Sequence, residues 1–182
     1  MTDMTSLEGT YVLDTTHSSL AFVARHAMIT KVRGIFTSFS GTAQVHGSAP
    51  QTSSVTVDID VASVSTGTAD RDAHLAGEDF FQSEKFPKIT FVSTNVEAVD
   101  SDTVEITGDL TIKDVMKTLT IPFEFTGAVT DPSGNDRIGF EGRTEVNRRD
   151  FNLTWNAALD TGGVLVSEKV TLEFEISAIK QS

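Results

Sequence analysis

Residues 170–178 read VTLEFEISA, and this stretch decides the fold class of the chain. Its apolar residues occupy every second position, namely Val170, Leu172, Phe174, Ile176 and Ala178. Threonine, glutamate and serine fill the positions between them. Because successive side chains of a strand point to opposite faces, a two-residue period held for about nine positions predicts a strand with one buried and one solvated face.

The same period recurs upstream of this strand. It is clear over residues 55–61, 104–112 and 119–125, and a further extended run covers residues 19–27. Roughly seven to nine antiparallel strands of this kind predict a barrel or a sandwich. Ten residues at about 3.3 Å each make a wall roughly 33 Å tall, which favours a barrel with an elongated interior. We therefore expect an all-β fold, an antiparallel eight-stranded barrel with one short helical insertion.

The predicted helical insertion overlaps the start of residues 71–87, which read RDAHLAGEDFFQSEKFP. Thr68 is a suitable N-cap and Gly77 a suitable stop, so the pattern predicts a short helix between them. Large aromatic residues follow this helix at Phe80, Phe81 and Phe86. Such a segment can form a plug or lid on the barrel, or its aromatic residues can simply hold the helix on an ordinary hydrophobic core.

Glycines interrupt the inward-facing apolar rows at Gly108, Gly127 and Gly142. Missing side-chain volume in the wall is compatible with a ligand cavity, as in lipocalins. Glycine within a strand equally serves bends and bulges. The residues by themselves leave both interpretations open.

Composition limits the classes of partner. The 182-residue chain has a net charge of −12 and a pI near 4.6, so nucleic acid or an anionic membrane would be repelled over most of its surface. The absence of cysteine excludes disulfides and thiolate metal sites. No window approaches the roughly 18 apolar residues of a membrane span, so we expect no integral membrane segment.

The length of the chain predicts one domain. We place it at residues 9–182, behind a flexible N-terminus at residues 1–8. The segment 1–9 has no Lys or Arg and no apolar core of the length that a signal peptide needs. On this basis we expect a cytoplasmic protein.

Taken together, several motifs resemble the YceI-like family from about Tyr11 to Ile179. The early ones are Asp14-x-x-His17-Ser18, Phe22, His26, Gly34-x-Phe36 and Arg71-Asp72-x-His74-Leu75 followed by Phe80-Phe81 and Phe86-Pro87. The later ones are Leu110-Thr111-Ile112-Lys113, Gly139-Phe140 and Arg149-Asp150-Phe151. The chain departs from the family pattern at Asp114 and Asn152, where glycine is usual, and it lacks the export leader of many relatives.

The resemblance implies a lipocalin-like barrel that binds a long-chain polyisoprenoid, or a similar amphiphilic lipid such as a prenyl quinone, within its core. It implies carriage or storage and no enzymatic activity, with no cofactor, and it suggests a homodimer. The apolar ligand-binding residues that we expect are Phe22, Phe36, Leu75, Phe80, Phe81, Phe86, Phe91, Phe123 and Phe140. We further expect the ligand headgroup to meet a polar set at the mouth, made of His17, His26, Arg71, Asp72 and His74, with Arg71 engaging phosphate or quinone oxygens.

Other functions compete for the same residues. His17, His26 and His74 could hold a metal ion in a small enzyme that acts on a hydrophobic substrate, although their spacing matches no standard ligand motif. Ser18 beside His17 could be a nucleophile, but no G-x-S-x-G elbow accompanies it.

Three further alternatives concern the acidic residues, the polar residues of the helix and the barrel as a whole. The acidic residues Asp70, Asp72, Glu78 and Asp79 could form a catalytic carboxylate pair, yet a surface cluster is ordinary in so acidic a chain. Arg71, Asp72 and His74 could form only a local ion-pair and capping cluster. The barrel itself could be a scaffold that its own side chains fill completely.

Overall fold

The strands of the barrel are antiparallel throughout. The computed structural model describes residues 3–182, which form a sheet of eleven strand segments. In chain order these are β1 (Glu8–Leu13), β2 (Ser19–His26), β3 (Thr30–Phe36), β4 (Phe39–His46), β5 (Ser54–Asp60), β6 (Val64–Ser65), β7 (Lys88–Ala98), β8 (Thr103–Ile112), β9 (Val115–Thr130), β10 (Asp136–Asn147) and β11 (Lys169–Lys180).

Three pairs of consecutive segments each act as one interrupted long strand: β1 with β2, β3 with β4, and β5 with β6. β1 pairs with β4 while β2 pairs with β3, and β4 and β3 pair in turn with β5 and β6. The remaining strands follow in sequence order, and β11 closes the circle by pairing with both β1 and β2. Counting each interrupted strand once gives eight strands, so the predicted closed eight-stranded barrel is confirmed.

The one α-helix of residues 3–182 is α1 (Ala69–Ala76), which connects β6 to β7. Thr68 precedes it and Gly77 follows it, as predicted, although the Thr68 side chain makes no capping hydrogen bond. The preceding loop is fixed instead by the Asp72 carboxylate, which accepts hydrogen bonds from the backbone N–H and the hydroxyl of Thr66 at 2.7 and 2.6 Å. No helix in this part of the chain is long and apolar enough to cross a membrane.

Two apolar clusters fill the opposite ends of the barrel. The cluster at the end that α1 covers, here called the helix end, contains Phe36, Val61, Val64, Phe80, Phe81, Ile89, Leu110, Phe151 and Leu153. The cluster at the other end, here called the N-terminal end, contains Met4, Leu7, Tyr11, Ile138 and Ala178. Strand β10 joins them, because Ile138 belongs to the second cluster and Val146 packs on the first. Eight residues of strand separate these levels by roughly 26 Å.

The N-terminal segment is part of this structure. Residues Met4–Ser6 form a 3₁₀-helix whose first turn is capped by Asp3, and Met4 and Leu7 are buried. This arrangement differs from the flexible N-terminus expected at residues 1–8; Met1 and Thr2 of that range lie outside the described residues. The physical reason is that two large apolar side chains cover the rim of a barrel that would otherwise expose its core.

Both positions where the family resemblance expects glycine keep a glycine-like backbone. Asp114 and Asn152 each have φ of 59°, in the left-handed region. Asn and Asp are the non-glycine residues that tolerate this conformation best, because their short polar side chains bond locally. The turn after β8 and the end of the 3₁₀-helix Arg148–Phe151 are therefore retained without glycine.

Candidate ligand-binding site

An elongated apolar cavity of about 360 Å³ lies inside the barrel. The inward row of β11, which the sequence alternation predicted, lines it with Val170, Leu172, Phe174, Ile176 and Ala178. Every other long strand contributes apolar residues in the same way, and the cavity reaches from Met4 at the N-terminal end to Phe80 at the helix end. The barrel is therefore not filled completely by its own side chains.

Three phenylalanines line the cavity by lying over glycines of the neighbouring strand. A Cβ built on Gly34 would fall within 2.7 Å of three ring carbons of Phe22, its direct cross-strand partner. Phe123 covers Gly142 and Phe91 covers Gly108 in the same manner. Because the glycines have no side chain, these rings rest against the wall and leave the centre of the barrel open.

The role of Gly127 is different. It has φ of 142°, and the pairing of β9 with β10 shifts register next to it, where Thr126 is left without a partner. A left-handed φ at a register shift marks a β-bulge. Of the three glycines that the sequence analysis singled out, Gly108 and Gly142 thus make room for aromatic rings, and Gly127 bends the strand.

The helix end of the cavity is closed by aromatic residues. α1 supplies Leu75, and the turn after it supplies Phe80 and Phe81, which line the cavity and are buried. Ring centroids of Phe36 lie 5.8 Å from those of both Phe22 and Phe81. The segment after the predicted helix therefore forms the expected plug, and its aromatic residues belong to the core at the same time.

Trp155 is a part of this closure that the sequence analysis missed. Its ring lies 4.8 Å from that of His74 and 5.4 Å from that of Phe80, measured between centroids. Trp155 comes from the irregular segment 152–168, which has no periodicity to indicate which residues face inward. Only its being the single tryptophan of the chain could have drawn attention to it.

Arg148 holds this irregular segment in place. The side chain is only 5% exposed, and its guanidinium donates to the carbonyl oxygens of Ser167, Leu153, Trp155 and Val166 at 2.6 to 3.3 Å. Burial lowers the pKa of Arg148 from its ordinary value. Arg148 is the only Lys or Arg that lines the cavity within residues 3–182. The sequence gives no signal that separates it from its exposed neighbour Arg149.

The cavity comes closest to solvent at the N-terminal end. Thr5, Asp100 and Ser101 are exposed themselves and also line the cavity. His46 lines it too, and its Nδ1 lies 2.5 Å from Oε1 of Glu8. Tyr11 is buried beneath this rim, and burial, followed by the nearby Asp136 and Glu8 carboxylates, raises the pKa of its phenol. The polar part of the lining is thus at the end opposite α1.

Eight of the nine predicted apolar site residues line the cavity, namely Phe22, Phe36, Leu75, Phe80, Phe81, Phe91, Phe123 and Phe140. Phe86 does not line it. The ring of Phe86 lies under the ammonium group of Lys85, at 5.2 Å from the ring centroid, in the turn before β7. Strand alternation fixes the direction of the five that lie on strands, whereas no such constraint acts on a turn residue such as Phe86.

The five predicted headgroup residues are not brought together, and none of them lines the cavity. His17 bonds to Asp14 at 2.7 Å and precedes β2, whereas His26 ends that strand, so roughly 30 Å of extended chain separates the two. On and beside α1, Arg71 and Asp72 both bond to Thr66, and His74 bonds to Asp79 at 2.8 Å. The prediction of one polar mouth made of these five residues is therefore corrected. Sequence order cannot show that the two ends of a strand lie at opposite ends of a barrel.

The distance between the histidines also argues against the metal-dependent enzyme considered above. A shared metal site of His17, His26 and His74 is not assembled, and no three His, Asp or Glu side chains of residues 3–182 converge on a possible metal position. The Ser18 hydroxyl donates to the carbonyl of Ser177 at 3.0 Å and accepts from the Ser177 N–H at 2.9 Å. It therefore fixes the start of β2 to β11. Of the acidic residues near α1, Asp72 fixes the preceding loop.

Proteins similar to this chain match it over nearly its whole length. The UPF0312 protein of Pseudomonas fluorescens is 33% identical over 165 residues, which cover 91% of this chain and 82% of that protein. The UPF0312 protein of Shewanella oneidensis is 35% identical over 173 residues, covering 94% and 87%. Among solved structures, Burkholderia cenocepacia BcnA superposes with a TM-score of 0.80 at 26% identity, covering 91% of this chain and 98% of that one.

A more distant structure has the same fold. It is a polyisoprenoid binding domain from Saccharophagus degradans, implicated in plant cell wall breakdown, with a TM-score of 0.71, 18% identity and coverage of 94% and 98%. The family profile described as the YceI-like domain matches residues 11–178, which is nearly the whole chain. On the profile match and the identities to its relatives, this chain belongs to the YceI-like domain family.

Proposed function

We propose that this protein binds a long-chain isoprenoid, or a similar lipid with one long apolar chain, inside the barrel and carries or stores it. The observation that carries the proposal is the elongated cavity, whose lining is almost wholly apolar and comes from all eight long strands. Each buried CH₂ of a ligand contributes about 0.8 kcal/mol by transfer from water. A cavity that already exists in the folded protein also lowers the cost of ordering such a chain.

The family supports this ligand class. The structure from Saccharophagus degradans is described as polyisoprenoid-binding, and it shares the barrel fold. An isoprenoid chain branches with a methyl group at every unit, which suits a lining of flat aromatic rings and branched aliphatic side chains. The three Phe–Gly pairs hold their rings against the wall and so leave space at the centre of the barrel.

The polar end of the ligand is expected at the N-terminal end of the cavity. Tyr11 and His46 offer a phenol and an imidazole there, and Glu8 and Asp100 make the surroundings acidic. Arg148, the only Lys or Arg among the described residues to line the cavity, lies at the helix end and directs its N–H groups to backbone carbonyls. A neutral headgroup such as a quinone or an alcohol therefore suits this site better than a diphosphate, which would need cations around it.

Native mass spectrometry of the protein as purified, followed by organic extraction and mass analysis, tests the proposal directly. A stoichiometric prenyl lipid or quinone is the expected result. Metal content is read from the same sample. A chain that carries no organic molecule, and that takes up none when incubated with ubiquinone or polyprenol, would contradict the proposal.

A pair of matched variants connects ligand binding to the cavity. Val57 lines the cavity and Thr56, its neighbour in β5, is exposed on the outer face. Val57→Trp places an indole inside the barrel and should remove most of the retained lipid, whereas Thr56→Trp should leave the lipid content unchanged. Circular dichroism and urea unfolding establish that both variants are folded.

A further inference from the structure

One long stretch of the chain contains no acidic residue. Residues 15–57 have no Asp or Glu, although the whole chain has 26. The same stretch carries Arg25, Lys31 and Arg33, which all belong to the hairpin of β2 and β3. The hairpin is therefore basic in a chain whose net charge is −12, although Arg33 is paired with Glu173 of the neighbouring strand β11.

The tip of this hairpin exposes large apolar side chains. Met28 is 57% exposed and Ile29 is 76% exposed, at the turn between the two strands. Ala27 and Met28 have φ of 51° and 61°, in the left-handed region that hairpin turns usually fill with Gly or Asn. Apolar residues thus occupy positions where small polar ones would fold more easily and would be better solvated.

Two backbone hydrogen bonds and one from the Arg25 side chain fix the tip in this conformation. Ile29 N–H donates to the carbonyl of His26 at 3.0 Å, and the Arg25 guanidinium donates to the carbonyl of Ile29 at 3.1 Å. Ala27 N–H donates to the carbonyl of Leu165 at 2.7 Å. The apolar side chains are consequently presented by a defined turn, at the helix end of the barrel.

The charges beside the tip complement an anionic surface. Arg25 and Lys31 are direct cross-strand partners, and like charges in such a pair repel each other. Arg33 lies two positions further along and is paired with Glu173 of β11. A dense negative surface would relieve the repulsion between Arg25 and Lys31, whereas the acidic N-terminal end, with Glu8 and Asp100, would be turned away from it.

We propose that the β2–β3 hairpin docks on an anionic lipid bilayer. Met28 and Ile29 enter the headgroup region, and Arg25 and Lys31 contact the anionic headgroups. Docking in this way places the helix end next to the bilayer, where the irregular segment that bonds to Ala27 also contributes Val166 to the cavity lining. This inference goes beyond lipid binding inside the barrel and does not depend on the identity of that lipid.

Vesicle flotation at low salt tests the docking surface. We expect the protein to bind vesicles of phosphatidylcholine with about one third phosphatidylglycerol, and not pure phosphatidylcholine vesicles. The variant Lys31→Gln, which leaves the Arg25–Ile29 hydrogen bond in place, should bind about fivefold more weakly, since each basic residue near an anionic surface contributes about that factor. The variant Met28→Ser/Ile29→Ser should lose about tenfold or more, since neither side chain then enters the interface.

Val99→Ser/Val129→Ser is the matched control, because these two residues are 55% and 63% exposed and lie at the N-terminal end, away from the hairpin. The control should bind anionic vesicles like the unchanged protein. Equal binding to neutral vesicles, no binding to either kind, or equal weakening in the control would each overturn the inference. Extraction of the internal lipid from the same samples separates the two proposals. Hairpin variants that keep their internal lipid but lose vesicle binding assign vesicle binding to the hairpin alone. Variants that keep vesicle binding but lose internal lipid assign lipid content to the cavity alone.

Discussion

The ring of Phe123 covers Gly142 across the pair of strands β9 and β10. A Cβ built on Gly142 would lie within 3.0 Å of three carbons of that ring, closer than side chains approach each other in folded proteins. The pair shows how this barrel keeps an open centre although it contains many aromatic residues. One strand supplies the ring, and its neighbour supplies the space that the ring needs at the wall.

Gly142→Ala should therefore push the Phe123 ring into the cavity. We expect a loss of about 1 to 3 kcal/mol in the free energy of unfolding, because overfilled cores are strained, together with a lower content of retained lipid. Urea unfolding and lipid extraction measure the two effects. Adding Phe123→Leu to Gly142→Ala should recover part of both, and a single variant with unchanged stability and lipid content would show that the ring can move elsewhere.

Arg148 and Arg149 are adjacent in sequence and should differ sharply in their contribution to stability. Arg148→Met leaves the carbonyl oxygens of Leu153, Trp155 and Ser167 without this donor, which should cost about 3 kcal/mol or more. The Val166 carbonyl still accepts a hydrogen bond from the Asn156 side chain. Arg149 is exposed and pairs with Glu168 at 3.1 Å, so Arg149→Met should cost less than about 1 kcal/mol. Urea denaturation of both variants makes the comparison, and equal effects would contradict the assigned role of Arg148.

The buried N-terminal segment predicts a stability effect before the first strand. Leu7→Ala should lower the free energy of unfolding by about 2 to 5 kcal/mol, as large-to-small changes in a core do. Because Leu7 also lines the cavity near its polar end, the variant should release bound lipid faster. Val129→Ala, at an exposed position of β9, is the control for thermal unfolding. A Leu7→Ala protein as stable as the control would favour a flexible N-terminus after all.

Arg137 joins two carboxylates and makes stability dependent on pH. It lies 2.5 Å from Asp14 and 2.7 Å from Asp131. The pKa of Asp14 is held well below its usual range by Arg137 and then by His17, and that of Asp131 by the backbone N–H of Asn135 and then by Arg137. A carboxyl group with a depressed folded pKa stabilises the protein above the unfolded value near pH 4, and this contribution is lost as pH falls toward the folded value.

Arg137→Gln should consequently be less stable than the unchanged protein at pH 7, and the difference should shrink between about pH 4 and pH 2. Urea midpoints across this range measure it. Arg143→Gln serves as the control, because Arg143 is exposed and lies 3.9 Å from Glu173. A difference that stays constant with pH would mean that Arg137 acts through contacts other than these carboxylates.

The wall of the barrel could be predicted from the sequence far better than its two ends. Alternation identified the inward row of β11 and the row of β9 that contains Phe123, since a strand allows only two directions for each side chain. It could not foresee that Phe22, Phe91 and Phe123 rest on glycines, because all three contacts depend on strand register. Two of these pairs are direct cross-strand partners, and the Phe91–Gly108 pair is a diagonal. Nor could it locate Trp155, which belongs to irregular backbone, or the buried Arg148, which begins a short 3₁₀-helix.

The sequence by itself determined that this chain is an antiparallel barrel with a helical insertion and an apolar interior, because hydrophobic periodicity acts locally. Only the tertiary structure decided which polar groups meet. It placed His17 and His26 at opposite ends of β2, moved the polar lining of the cavity to Tyr11 and His46, and set Met28 and Ile29 on an exposed tip. Closing eight strands into a circle brings distant residues together and keeps near ones apart, and no local pattern encodes that result.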